Sequence, residues 1–234
     1  MKPILKDVYH SLTALVKKIT DTSIVTELET ECLDFIAMIS GLKPVFLLGR
    51  GVNSPEWIEG VVSLSQNLKL NVLNGPFWDA TPYGGLPSWY RKHCQRELAP
   101  LQAYYIASAR DAVEAVSKIN NSGGKLGMTE EAHLLGYPNC CVVAHYNRSL
   151  RYHRATLSIL KRLTDGNEAQ MIPLLTGGAN FAPATNNEIS DFEEAFNIHP
   201  ATHGSWNMCS SCVSDPNSSS KKLITEYQNL LENL

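Results

Sequence analysis

Four of the six cysteines of this chain stand in two clusters, the adjacent thiols Cys140-Cys141 and, far along the chain, Cys209-Ser210-Ser211-Cys212. Thiolates bind soft metals and exchange with disulfides, so the clusters point to a metal site, a redox site or both. A Cys-x-x-Cys turn brings two sulfurs onto one ion, and a tetrahedral site then needs two further ligands. Cys140 and Cys141 supply them on the first reading. Neighbouring residues diverge by about 100° around a helix, however, so the two would have to start an irregular helix to chelate together. The alternative pairs Cys141 with His145, one turn on and on the same face, in a Cys₃His site completed by Cys209 and Cys212. Either donor set suits zinc, with iron or an iron–sulfur cluster as the alternative. Without metal, the clusters read as a thiol–disulfide relay, although no Cys-x-x-Cys opens a helix after an early strand as a thioredoxin-like fold requires.

Histidines add proton chemistry to this set. His145 and His199 are the candidates to handle a proton beside a metal-bound water, and His203 stands near the same segment. Cys32 falls on an apolar stripe and reads as a small core residue. His153 with Arg148, Arg151 and Arg154 reads as a solvated helix face or an anion site. Gly49-Arg50-Gly51-Val52-Asn53-Ser54 resembles half of a dinucleotide loop but lacks its third glycine and its acidic partner.

These residues need elements to hold them. Ile4, Val8, Leu12, Leu15, Val16 and Ile19 predict a first amphipathic helix, and a second runs from a cap at Asp21 or Thr22 to Gly41. Val45–Leu48 predicts a strand, and Ser54-Pro55-Glu56 opens the helix that follows. Further strands are predicted over Leu70–Leu73 and Ala103–Ala107, with a helix from Asp111 to Ile119. Between those two strands, the Gly, Pro and aromatic residues of Asn74–Tyr90 predict a long ordered loop, a candidate substrate lid or a packed connection. Strands alternating with helices predict an α/β fold, a small and mostly parallel sheet with flanking helices. After Gly123-Gly124 the composition changes, which divides the chain into an α/β part (1–124) and a helical, cysteine-bearing C-terminal part (125–234), or leaves it as one continuous domain. In that second part Pro138 starts a helix from Asn139 to about Leu163, an acidic helix surrounds Asp191–Phe196, and the last helix begins near Asp215-Pro216 or Ser218–Ser220.

With 234 residues, 44% of them hydrophobic, the chain can bury a sizeable core. A net charge of -3 with scattered Lys and Arg argues against nucleic acid as partner. No apolar run approaches the length that spans a bilayer, and the amphipathic first twenty residues do not read as a signal peptide, so no membrane is expected and reduced thiols in the cytoplasm are. The stretch from Tyr104 to Cys141 also resembles a prokaryotic family of unknown function. The likeness rests on Tyr104-Tyr105-Ile106-Ala107, on Arg110-Asp111 and on Leu135-Gly136-Tyr137-Pro138-Asn139-Cys140-Cys141, with His199-Pro200 and the late cysteine pair answering a further family element. The resemblance implies a shared cysteine site and no particular reaction. The expectation is a metal-binding enzyme acting on a small molecule in a specialised biosynthetic or modification pathway, with a structural zinc module that binds a partner protein, or a redox protein, as alternatives.

Overall fold

The computed structural model describes residues 2–49, 54–76, 85–98, 102–122, 128–177 and 182–234. The first two helices follow their apolar spacing. In α1 (Lys2–Val16), Leu5, Val8, Leu12 and Val16 are buried at three- and four-residue intervals. A short 3-10 turn (Thr22–Ile24) leads into α2 (Val25–Ser40), which ends where Gly41 adopts φ +84° and returns its N–H to Met38 O. Residues 31–38 of α2 are all buried, so this helix runs through the interior rather than over it. Two carboxylates, Glu31 and Asp34, go inside with it.

Strand β1 (Phe46–Leu48) precedes α3 (Pro55–Asn67), whose first turn is capped by Ser54 Oγ accepting from Trp57 N at 3.4 Å. Strand β2 (Asn71–Pro76), α4 (Ser88–Leu98), β3 (Gln102–Ala107) and α5 (Arg110–Ser122) follow. The sheet order is β1-β3-β2, and β3 runs antiparallel to both neighbours, with Phe46 opposite Ile106 and Val72 opposite Ile106 from the other side. The expected mostly parallel sheet is therefore corrected: it is a small antiparallel sheet in a mainly helical chain. The alternation of elements was read properly, but it carries no strand direction. β1 and β2 do share one direction, joined by the α3 crossover. The connection through α4 instead returns the chain so that β3 inserts between them, reversed.

Helices then dominate: α6 (Met128–Leu135), the 25-residue α7 (Asn139–Leu163), α8 (Glu168–Thr176) and α9 (Asn186–Phe196). α9 begins with a reciprocal cap in which Thr185 Oγ1 accepts from Glu188 N and Glu188 accepts from Thr185 N. The same carboxylate also takes Ser158 Oγ and the Arg162 guanidinium, which fastens α9 onto α7. A two-residue hairpin of β4 (His199–Pro200) and β5 (Asn207–Met208), the short α10 (Ser210–Ser214) and α11 (Ser219–Glu232) complete the chain.

Two cores matter for the site. In the first, α1, α2 and α3 close over β1 and β3 around Phe35, Phe46 and the fully buried Trp57, with Cys32 among them as expected. In the second, Leu33 and Ala37 of α2 pack with Cys141, Trp206, Cys209, Cys212 and Tyr227. The N-terminal and C-terminal parts thus share one apolar cluster, while the boundary read at Gly123-Gly124 lies outside the described residues. So do Arg50–Asn53 of the glycine loop and residues 77–84 of the aromatic loop. Among the described residues no helix is long and apolar enough to cross a membrane.

Candidate metal centre and adjoining cavity

The Leu-Gly-Tyr-Pro-x-Cys-Cys run owes each residue to a local demand. Gly136 turns the chain out of α6 at φ +72°, and a Cβ there would stand 2.5 Å from Lys43 Cβ, so backbone angle and close approach both require glycine. Pro138 is the N-cap of α7, and its carbonyl accepts from Cys141 N at 2.9 Å and Val142 N at 3.1 Å. Cys140 and Cys141 consequently occupy the first turn. Cys209 is the N-cap of α10 and Cys212 lies within it, while Ser218 caps α11 by accepting from Lys221 N and donating to Cys212 O at 3.0 Å.

These turns bring the sulfurs of Cys140, Cys141, Cys209 and Cys212 within 4.8 Å of one another. Cys140 Sγ lies 3.4 Å from Cys212 Sγ and 4.0 Å from Cys141 Sγ. An ion with Zn–S bonds of about 2.3 Å in tetrahedral array sets its sulfurs about 3.8 Å apart, so the donor set and spacing fit a single tetrahedral metal. The Cys₃His arrangement is corrected. His145 is not part of the converging group; it lies on the wall of a neighbouring cavity, beside Tyr146. The 100° divergence of Cys140 and Cys141 is real in burial, one exposed and one buried, yet it describes Cβ directions. Each sulfur sits one rotatable bond further out, and in the first turn both reach the segment that carries the other pair.

Donors already surround the sulfurs. Trp206 Nε1 can only donate, and it does so to Ser220 Oγ at 3.2 Å; the Ser220 proton is thereby left for Cys141 Sγ, 3.0 Å away. Cys209 N donates to the same sulfur at 3.3 Å. Polar bonds of this kind orient and stabilise metal-bound thiolates. Burial pushes Cys141 up to about 12 against those two donors. It also raises Cys140, where the Cys212 contact adds to the effect. At Cys212 burial is outweighed by the Cys140 thiol and the Ser220 amide at the start of α11, and its thiol falls to about 6. Four thiolates on a divalent ion leave two negative charges, and Arg148, two turns along α7 from Cys141, supplies positive potential to Cys141 and Cys209. Its Nη2 is buried with no hydrogen-bond partner among the described residues.

Beside the cluster lies a cavity of about 540 Å³. One face of α2 provides Glu27 and Thr30 at its edge and Glu31 and Asp34 deeper in. α6 and α7 contribute Glu131, Cys141, Val142, His145 and Tyr146, and the β4–β5 hairpin contributes Ser205, Trp206 and Asn207. Asp34 is saturated: Oδ1 accepts from Tyr227 Oη at 2.6 Å, and Oδ2 accepts from Tyr137 Oη, from Ser205 Oγ and from Lys43 Nζ at 3.2 Å in an ion pair whose members are almost wholly buried. Lys43 is raised because Asp34 and Tyr137 together outweigh its burial. Glu131 accepts from Tyr146 Oη. Glu31 Oε2 accepts from Trp57 Nε1 at 2.6 Å, and burial pushes its carboxyl up to about 7, with Trp57 opposing and Asp34 and Glu27 adding to the rise.

His199 sits in β4 opposite Met208, and neither it nor His203, in the hairpin turn at φ +66°, lines this cavity or joins the cysteine group. Sequence reasoning passed over Glu31, Asp34, Lys43, Tyr137 and Ser220. A signal for the first two was present: Glu27, Glu31 and Asp34 recur at helical spacing, and Asp34 stands alone inside the otherwise apolar run Cys32–Ile39. The chain matches no protein-family model, no curated protein and no solved structure.

Proposed function

We propose that Cys140, Cys141, Cys209 and Cys212 hold one zinc ion, and that the ion fastens α10 and α11 to the first turn of α7. The observation that carries this reading is the closure of four sulfurs within 4.8 Å, with hydrogen-bond donors already aimed at Cys141. Four protein thiolates leave no open coordination position, which is the pattern of a structural zinc. An iron–sulfur cluster distributes its cysteines over several irons and wants them spread wider than this. The resemblance around Gly136-Tyr137-Pro138-Asn139-Cys140-Cys141 accords with a cysteine site of this kind. A bound zinc would supply charge for the buried thiolates, and this chain's own residues would do the rest: Ser220 and the Cys209 amide orient Cys141, and Arg148 offsets the excess negative charge.

A second reading is favoured by one observation, that Cys141 belongs both to the cysteine group and to the cavity wall. On it the protein is an enzyme acting on a small molecule in the cavity, with His145 handling a proton there, and the metal holds one wall of that site.

Elemental analysis of protein purified without air tests the first reading. The expected result is one zinc per chain, lost on substituting any of the four cysteines by alanine and kept in His145→Ala. Metal-free protein, or loss of metal in His145→Ala with retention in Cys140→Ala, would overturn it. Stoichiometric iron with visible absorption would replace zinc by iron on the same ligands.

A further inference from the structure

Among the described residues that line the cavity are four carboxylates, His145, Cys141 and two tyrosines, with no lysine or arginine. Three of the four carboxylates are accounted for. Asp34 has Lys43 and three hydroxyls, Glu131 has Tyr146, and Glu27 is exposed. Glu31 differs. It is 8% exposed, makes no ion pair with any described residue, and spends only Oε2, on Trp57. Oε1 has no hydrogen-bond partner among the described residues. A buried carboxylate on the wall of a roomy cavity thus lacks the paired counter-charge that buried charges otherwise find, since Lys43, the cation that acts on it, is paired with Asp34 and lowers it least of the causes at work. The cavity's walls also carry Leu47, Leu135, Val142, Tyr146 and Trp206, apolar surfaces that take hydrocarbon and aromatic rings of the kind that attract cations. The volume falls within the usual range for one small organic ligand.

We propose that this cavity binds a small organic amine as its ammonium ion, with the charged nitrogen on Glu31 Oε1 and the hydrocarbon body against the apolar and aromatic wall. The ammonium supplies the missing counter-charge and a strong, charge-assisted hydrogen bond. A ligand with a carboxylate or phosphate in that position meets Glu31, Asp34 and Glu131 instead and is rejected. The site goes beyond the metal centre: its charged contact is Glu31 and not a thiolate, although Cys141 lines the cavity as well.

Three probes on one skeleton, benzylamine, benzyl alcohol and benzoate, test it by titration calorimetry on the full chain, with zinc content measured on the same samples. Benzylamine is expected to bind at least tenfold more tightly than benzyl alcohol, and benzoate not at all. Glu31→Gln keeps an acceptor for Trp57 Nε1 and should abolish the preference for the amine. Thr30→Trp, which adds bulk at the cavity's edge and keeps the Glu31 carboxyl, should abolish binding of amine and alcohol alike. No binding of benzylamine to the wild type, equal binding of amine and alcohol, or unchanged benzylamine binding in either variant would each overturn the proposal. Loss of zinc with amine binding intact would count against the metal centre alone.

Discussion

Glu31→Gln should make stability less sensitive to pH, in a direction fixed by where this carboxyl lies. In the folded protein burial holds the group at about 7, against an ordinary value of 4.5. Below the ordinary value both folded and unfolded chains carry the proton, and Glu31 costs nothing. As pH rises the unfolded chain releases its proton first while the folded chain keeps it, so stability is lost between 4.5 and 7 and the loss levels off above 7. The full loss is about 3 kcal/mol, and about 2 kcal/mol of it falls between pH 5.5 and pH 8. Glutamine has no proton to release. Urea unfolding of both proteins across that window should therefore show the variant gaining about 2 kcal/mol on the wild type as pH rises. Titrations shared by both, including those of the thiols, cancel in the difference. A difference that stays flat, or that favours the wild type as pH rises, would refute the claim that Glu31 is buried without compensation.

Lys43→Met should destabilise the protein by about 3–5 kcal/mol because it strands the Asp34 carboxylate in the interior, and adding Asp34→Asn should recover much of that loss in urea unfolding. Equal losses in single and double variants would show that the pair is not coupled. Gly136→Ala should cost more than Gly41→Ala in thermal unfolding: both glycines sit at positive φ, where alanine costs about 1–3 kcal/mol, but only at Gly136 does the new carbon meet another residue's backbone and Cβ. Equal costs would remove Lys43 as the reason for that glycine.

Legibility in the sequence follows what each signal physically encodes. The limits of α7 were readable because Pro138 and the apolar spacing act locally, and so were Gly41 as the end of α2 and Ser54 as the cap of α3. Strand direction was not, since the order of elements is the same whether the α4 connection carries the chain across the sheet or back along it. The four cysteines were legible as a group. Which of Cys140 and His145 completes it was not, because helical angles locate Cβ atoms and a sulfur in the first turn can swing towards a segment distant in sequence. Asp34 shows the same limit from the other side. Its partners, Lys43, Tyr137, Ser205 and Tyr227, come from four separate segments, and no local pattern announces that they meet.

The contact of Cys209 with Cys141 joins residues 68 positions apart, and that of Cys140 with Cys212 spans 72. Closing a loop of that length costs the unfolded chain roughly 4–5 kcal/mol of entropy when the link is permanent, and a bound ion acts as such a link. Synthesis runs from the other end. The hairpin that walls the cavity and the second thiol pair follow α7 in the chain, so they leave the ribosome after Cys140 and Cys141. On the proposed reading, an ion met early finds only Cys140 and Cys141, and its four-thiolate site is complete only once the segment that also walls the cavity has been made.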